Sequence, residues 1–271
     1  MKVRIIVGAA LSILLVVLLI FGGYPLMVAL ALFSFVAVYE VGLALRNKGL
    51  KPWLFANYVF VLAAPFVFYF LGLNALIVMY AGAVAVTMIC SLFFSKIGAQ
   101  DMMAALFIHE YPTLLLVCLA LVYFSFDRSL GLTAACLAFA APQFADTIAF
   151  FVGTFLGKHK LCPSISPKKT VEGSIGALVG GLAFGAILIP LQGLWGGYVS
   201  VVSLLLIGLC CGILSQVGDL FASFIKRWAD VKDFSSLFPG HGGVMDRLDS
   251  ILFCAPFVLL CFTILTKIGI Y

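Results

Sequence analysis

Apolar runs of about 20 residues recur along the chain, separated by short stretches of Gly, Pro or charge. A run of that length matches a hydrocarbon core about 30 Å thick. The pattern predicts membrane-spanning helices at 5–21, 25–45, 53–72, 75–95, 108–126, 130–156, 174–192, 197–224 and 250–270. A β-barrel would instead show segments of about ten residues in strict alternation, which this sequence lacks. The first run follows Lys2 and Arg4 in the manner of a signal peptide, but it is long and Gly22-Gly23-Tyr24 makes a poor cleavage site, so it reads as a span. Pro142 falls inside the sixth run and predicts a break there, because proline removes a helix hydrogen bond.

Composition agrees. The chain is 64% apolar and 10% charged, against about 45–50% and about 25% for a soluble domain. The expected fold class is therefore all-α: a polytopic integral membrane protein of about nine transmembrane helices with a cytoplasmic N-terminus. It reads as a single membrane domain, in which residues 1–72 are N-terminal scaffold spans, 73–156 central spans, and 157–271 the part that carries chemistry. The net charge of +5 does not form a basic stripe, so no nucleic-acid partner is expected. The eight cysteines contain no CxxC pair, and neither a zinc site nor a disulfide framework is indicated.

The basic residues report orientation. With these spans, Lys2, Arg4, Arg46, Lys48, Lys51, Lys96, Lys158, Lys160, Lys168, Lys169, Lys226, Arg227, Lys232 and Arg247 fall on one side, and Arg128 and Lys267 on the other. The positive-inside rule makes the richer side cytoplasmic. Two long polar loops, 157–173 and 226–249, lie on that side. Span seven carries Gly176, Gly180, Gly181 and Gly185, a spacing that suits close helix packing.

Polar chemistry concentrates between Ser223 and Asp249. Cations there suit triphosphate oxygens, carboxylates suit a divalent metal, and glycines let backbone N–H groups approach phosphate. Asp219, Ser223 and Lys226 share a helical face, and Asp246 and Asp249 project together from the start of the last span. Asp219 and Asp146 interrupt apolar runs, where a carboxylate normally faces a polar cavity. Glu40 also interrupts a run; the preferred reading is that it snorkels or pairs with Arg46. His241 reads equally as a phosphate or pyrophosphate contact and as a turn residue. Lys168 and Lys169 face either a nucleotide or anionic lipid headgroups. His109 and His159 read as structural or interfacial.

The segment from Ser223 to Asp249, with Lys226-Arg227, Lys232-Asp233, His241-Gly242-Gly243 and Asp246-Arg247-Leu248-Asp249, resembles the signature of the phosphatidate cytidylyltransferase family. Ala145-Asp146-Thr147 and the stretch from Gly157 through Ser166-Pro167-Lys168-Lys169-Thr170 to Gly173 resemble that family's central cytoplasmic region, with Ile148 standing where glycine is expected. The resemblance implies a multi-pass protein of the bacterial cytoplasmic membrane that uses CTP and phosphatidic acid. It implies magnesium, with room for a second, monovalent ion and for a homodimer. The implied metal ligands are Asp219, Asp246 and Asp249. The implied catalytic set is Ser223, Lys226, Arg227, Lys232, Asp233, His241, Asp246, Arg247 and Asp249, with Asp146, Lys168 and Lys169 binding the nucleotide.

A secondary transporter would also combine many spans with buried carboxylates, but related halves with matching broken spans are absent. A CDP-alcohol phosphatidyltransferase would carry a D-G-x2-A-R stretch, also absent. The charge asymmetry generates a topological prediction. Single cysteines placed at 168 and 233 in a cysteine-free background should be labelled from the cytoplasmic face of sealed vesicles, and one at 128 from the other. Equal labelling of 128 and 233 from one face would overturn the span count.

Overall fold

The computed structural model describes residues 2–93 and 98–269; Lys96 and the end of the run predicted at 75–95 lie outside the described residues. Its elements are α1 (Lys2–Phe21), α2 (Gly23–Asn47), α3 (Phe55–Phe93), α4 (Ala99–Ile108), a π-helical turn (His109–Leu114), α5 (Leu115–Phe124), α6 (Arg128–Phe155), β1 (Lys160–Cys162), β2 (Ser166–Thr170), α7 (Val171–Gln192), α8 (Val201–Trp228), α9 (Met245–Leu252) and α10 (Cys254–Ile268). Among the described residues, seven helical segments are long and apolar enough to cross a membrane, and Val7–Phe21 adds a shorter apolar one.

Sequence and structure agree closely on where the apolar helices lie. At 39 residues, α3 is about 58 Å long at 1.5 Å per residue, nearly twice the hydrocarbon thickness. It bends at Gly72, whose φ of 80° and ψ of −177° are not helical, and its halves match the runs at 53–72 and 75–95. Gly tolerates that positive φ without a Cβ clash. Two expectations fail. The helix α6 passes through Pro142 without a break, since one missing backbone donor is tolerated where neighbouring helices support the span. The loop at 157–173 holds a small antiparallel hairpin, with Lys160 opposite Thr170 and Cys162 opposite Ser166. Thr170 then caps α7, its hydroxyl accepting from Gly173 N at 3.1 Å.

The chain forms two compact units, Met1–Leu121 with Lys226–Arg247 and Val122–Ile225 with Leu248–Tyr271. In the first, α2 buries Leu30, Ala37, Val38, Val41, Ala44 and Leu45 along one stripe, with Phe60 and Ile108 among the largest fully buried side chains. The polar segment after α8 belongs to this unit.

Glycine governs the second unit. A Cβ on Gly180 would stand 2.8 Å from Ala145 Cα, and one on Gly176 2.8 Å from Val152 Cβ, so this side of α7 lies directly on α6. Ile148 packs against the space left by Gly180, so close approach survives although glycine is absent from position 148. The other side of α7 meets α8, where a Cβ on Gly208 would lie 2.5 Å from Gly181 O and one on Gly185 2.5 Å from Leu204 O. This is the packing that the glycine spacing predicts. At the far end, Gln192 exchanges two hydrogen bonds with the Val199 backbone, at 2.8 and 2.9 Å.

These contacts predict that Gly181→Val, which drives a side chain into the backbone of α8, destabilises the protein by at least about 1–3 kcal/mol. Gly193→Ala, with nothing within 4 Å of the new Cβ, should leave the melting temperature in detergent unchanged. Equal melting of the two variants would overturn the close-packed reading of α7 and α8.

Candidate active site

The segment between α8 and α9 is held by two buried carboxylates. The helix α8 ends in a Schellman arrangement, with Val231 N donating to Lys226 O at 2.9 Å and Asp230 N to Arg227 O at 3.2 Å. Asp230 occupies the left-handed position at φ 55° and pairs with Lys48 at the end of α2. Lys226 turns inward instead. It is 8% exposed, its ammonium donates to Asp246 Oδ1 at 2.7 Å, and it lies 5.3 Å from the centre of the Phe234 ring. The other oxygen of Asp246 accepts from Phe234 N at 2.8 Å and Gly243 N at 2.9 Å. Asp246 therefore closes the segment into a loop, and Gly242, at φ 76°, leaves space for its carboxylate 2.6 Å from where a Cβ would stand.

The second anchor is Glu40, which does not snorkel toward Arg46 as its sequence position suggests. It is 2% exposed, and its carboxylate accepts from Ser235 Oγ at 2.6 Å, Val244 N at 3.0 Å and Met245 N at 2.7 Å. Local spacing cannot disclose partners about two hundred residues away in the chain. The signal that remains in the sequence is a carboxylate inside an apolar run. His241 occupies a turn, its N–H donating to Phe238 O at 2.9 Å. Its Nε2 sits against α1 at Gly8, and its Nδ1 is buried without a hydrogen-bond partner. Arg227, Lys232, Asp233 and Arg247 are exposed.

In the second unit, Lys169 pairs with Asp219 at 2.7 Å, and Ser223 Oγ donates to the same carboxylate at 3.4 Å. Asp146 on α6 is hydrogen-bonded by the Ser250 and Ser215 hydroxyls and lies within electrostatic reach of Asp219 and Lys169. Gln216 ties this face of α8 to α7, donating to Ser174 O at 3.2 Å and accepting from the Ser174 hydroxyl. Gly218 permits α8 to rest on the backbone carbonyl of Asp249, and Asp249 is buried, with Oδ1 accepting from Ser250 N at 2.9 Å. Lys168 is exposed. His159 pairs with Glu172 at 2.7 Å, a structural role that orients the hairpin.

Among the described residues no three His, Cys, Asp or Glu side chains gather closely enough to hold a metal. Of the expected set Asp219, Asp246 and Asp249, Asp246 has both oxygens engaged by Lys226 and by backbone donors. In the second unit, Asp146 and Asp219 share a neighbourhood. Magnesium in nucleotide sites uses one or two carboxylates with substrate phosphates and water, so this pair fits such an ion. In His241-Gly242-Gly243, Gly242 makes room for Asp246, and Gly243, whose N–H goes to Asp246, leaves space for the Glu40 carboxylate.

A mainly helical fold with several helices long and apolar enough to cross a membrane defines a multi-pass membrane protein. A model of the cytidylyltransferase family matches residues 2–265. The chain is 34% identical to a phosphatidate cytidylyltransferase of Bacillus subtilis over 95% of its own length and 96% of the relative's. It is 46% identical to one from Synechocystis over 47% of this chain and 42% of that protein, and 41% identical to one from Staphylococcus aureus over 50% and 51%. The chain belongs to the cytidylyltransferase family, and it is a multi-pass bacterial membrane protein.

The geometry separates two roles among adjacent cations. Lys226→Ala and Asp246→Ala should each lose at least about a hundredfold in turnover, roughly 2.7 kcal/mol. Both should also melt earlier, since breaking a buried ion pair costs about 3–5 kcal/mol. Arg227→Ala should lose turnover with its melting temperature unchanged. Steady-state kinetics and melting of monodisperse protein would decide, and wild-type turnover in Lys226→Ala and Arg227→Ala would remove both from the site.

Proposed function

We infer that this chain transfers the cytidylyl group of CTP to phosphatidic acid, forming CDP-diacylglycerol and pyrophosphate. The observation that carries this reading is the relationship to the Bacillus subtilis enzyme along nearly the whole of both chains, with the signature segment folded around a buried Lys226–Asp246 pair.

In the reaction, a phosphate oxygen of phosphatidic acid forms a bond to the α-phosphorus of CTP. The bond from that phosphorus to the bridging oxygen of the β-phosphate breaks, and pyrophosphate departs with the electron pair. A phosphate monoester is already anionic near neutral pH, so the protein's task is alignment and charge neutralisation rather than proton abstraction. Arg227, Lys232 and Arg247 are exposed and suit the triphosphate oxygens. Lys226 is fixed by Asp246, so its charge is placed without the entropy that a free lysine side chain would lose. Asp219 and Asp146 would hold magnesium, which when bound neutralises phosphate charge and orients the triphosphate. The hydroxyls of Ser215 and Ser250 orient Asp146, and that of Ser223 orients Asp219. Lys169, already paired with Asp219, limits the repulsion between them.

The test is pyrophosphate release from CTP by purified protein in detergent, measured against magnesium concentration with and without phosphatidic acid. Release should require both the lipid and the divalent ion. Asp219→Ala should lose at least about a hundredfold in turnover and shift the magnesium dependence, and Asp249→Ala should be damaged as severely. Near-normal activity with unchanged magnesium dependence in Asp219→Ala would remove it as a ligand. Release that ignores phosphatidic acid would overturn the transfer reaction itself.

A further inference from the structure

Glu40 lies in a membrane-spanning helix of the N-terminal half, a region that the sequence assigns to scaffold, yet its carboxylate is one of the most fully partnered side chains in the first unit. Three donors converge on it, the Ser235 hydroxyl and the Val244 and Met245 amides. Those amides lie at the start of α9, where backbone N–H groups have no partner within the helix and the helix dipole favours a negative charge. The carboxylate thus caps α9 from a different helix. Its position also explains Gly243, where a Cβ would run directly into the Glu40 carboxylate. Asp246, which holds Lys226, is the residue after Met245, so the placement of that ion pair depends on where Met245 N is held.

We propose that Glu40 is a positioning residue for cytidylyl transfer: it fixes the His241–Asp246 turn from α2, and through it sets where the Lys226–Asp246 pair and Arg247 meet the nucleotide. The proposal rests on the transfer function inferred above and extends it to a residue of the N-terminal half. A buried carboxylate whose donors are backbone amides is not replaced by its amide. Glutamine at 40 keeps one accepting oxygen and turns its NH2 group toward backbone donors, so it leaves a buried amide unsatisfied. Aspartate keeps the charge but shortens the reach by one methylene.

Glu40→Ala and Glu40→Gln should reduce kcat/KM for CTP by at least about tenfold, with part of the loss in KM for CTP and the KM for phosphatidic acid unchanged. Glu40→Asp should recover part of the loss. A purely structural role would lower the yield of active protein and leave both KM values as in wild type, and that pattern would overturn the proposal. A second arm uses Gly243→Ala, which should impair the wild type but add little in a Glu40→Ala background, where its Cβ has room; additive losses would count against the clamp. A third measurement is independent of activity. Hydrogen exchange of the 234–245 amides should accelerate in Glu40→Ala while the α7 and α8 amides stay protected, and unchanged protection of 234–245 sinks the idea. Were wild-type protein to release no pyrophosphate, the transfer reading would fail, while the exchange result would still decide whether Glu40 holds this turn.

Discussion

A carboxylate removed from water must be met by donors or cations, and in the first unit that requirement shapes everything around the signature segment. Asp246 meets it with one ammonium and two backbone amides, and Glu40 with two amides and a hydroxyl. The two anions therefore absorb donors that a loop of this kind would otherwise leave to water, and they convert a flexible glycine-containing stretch into a fixed turn. Because leaving such a group unpartnered costs several times what the satisfied bond contributes, the arrangement is all-or-none. Removing one donor leaves a charge stranded rather than a contact merely weakened.

The second unit solves a different problem by different means. Between helices in lipid there is no hydrophobic drive, so association depends on packing and on polar contacts between spans. Glycines on two sides of α7 bring α6 and α8 to backbone contact, and this proximity lets short side chains reach one another. Ser174 with Gln216 and Lys169 with Asp219 bridge elements that larger residues at the glycine positions would hold apart. Close packing is thus a precondition for the Asp146 and Asp219 neighbourhood as well as a source of stability.

What could be read from the sequence followed the range of the interaction. Apolar runs report burial in lipid, so the helices emerged near their observed positions, except that the run expected at 108–126 begins already at Ala99, and the α7 glycines announced their packing through spacing within one helix. Lys226 and Asp246, which the structure pairs, could be singled out because both lie in one recognisable stretch. The role of Glu40 was hidden, since its donors stand near residue 244 and no local pattern connects them. The contacts of Asp246 were hidden for a related reason: it looks available in sequence, but a lysine at the end of the preceding helix and the amide of Phe234 already engage it. Pro142 shows the converse error, a local rule overridden by the support of neighbouring helices.

The saturation of Asp246 also bears on how a polyanion is attracted. Lys226 and Asp246 together carry no net charge, so the buried pair contributes little field at a distance; its worth is geometric, a cation held at a fixed place. Under the proposed transfer reaction, long-range attraction of a triphosphate would fall instead to Arg227, Lys232 and Arg247, which are exposed and whose field is screened by salt. On that proposal, capture and alignment would be given to different residues. The exposed cations would reorient as a nucleotide arrives, whereas Lys226 is held by Asp246, and a group that does not reorganise is the one able to stabilise charge at the moment of transfer.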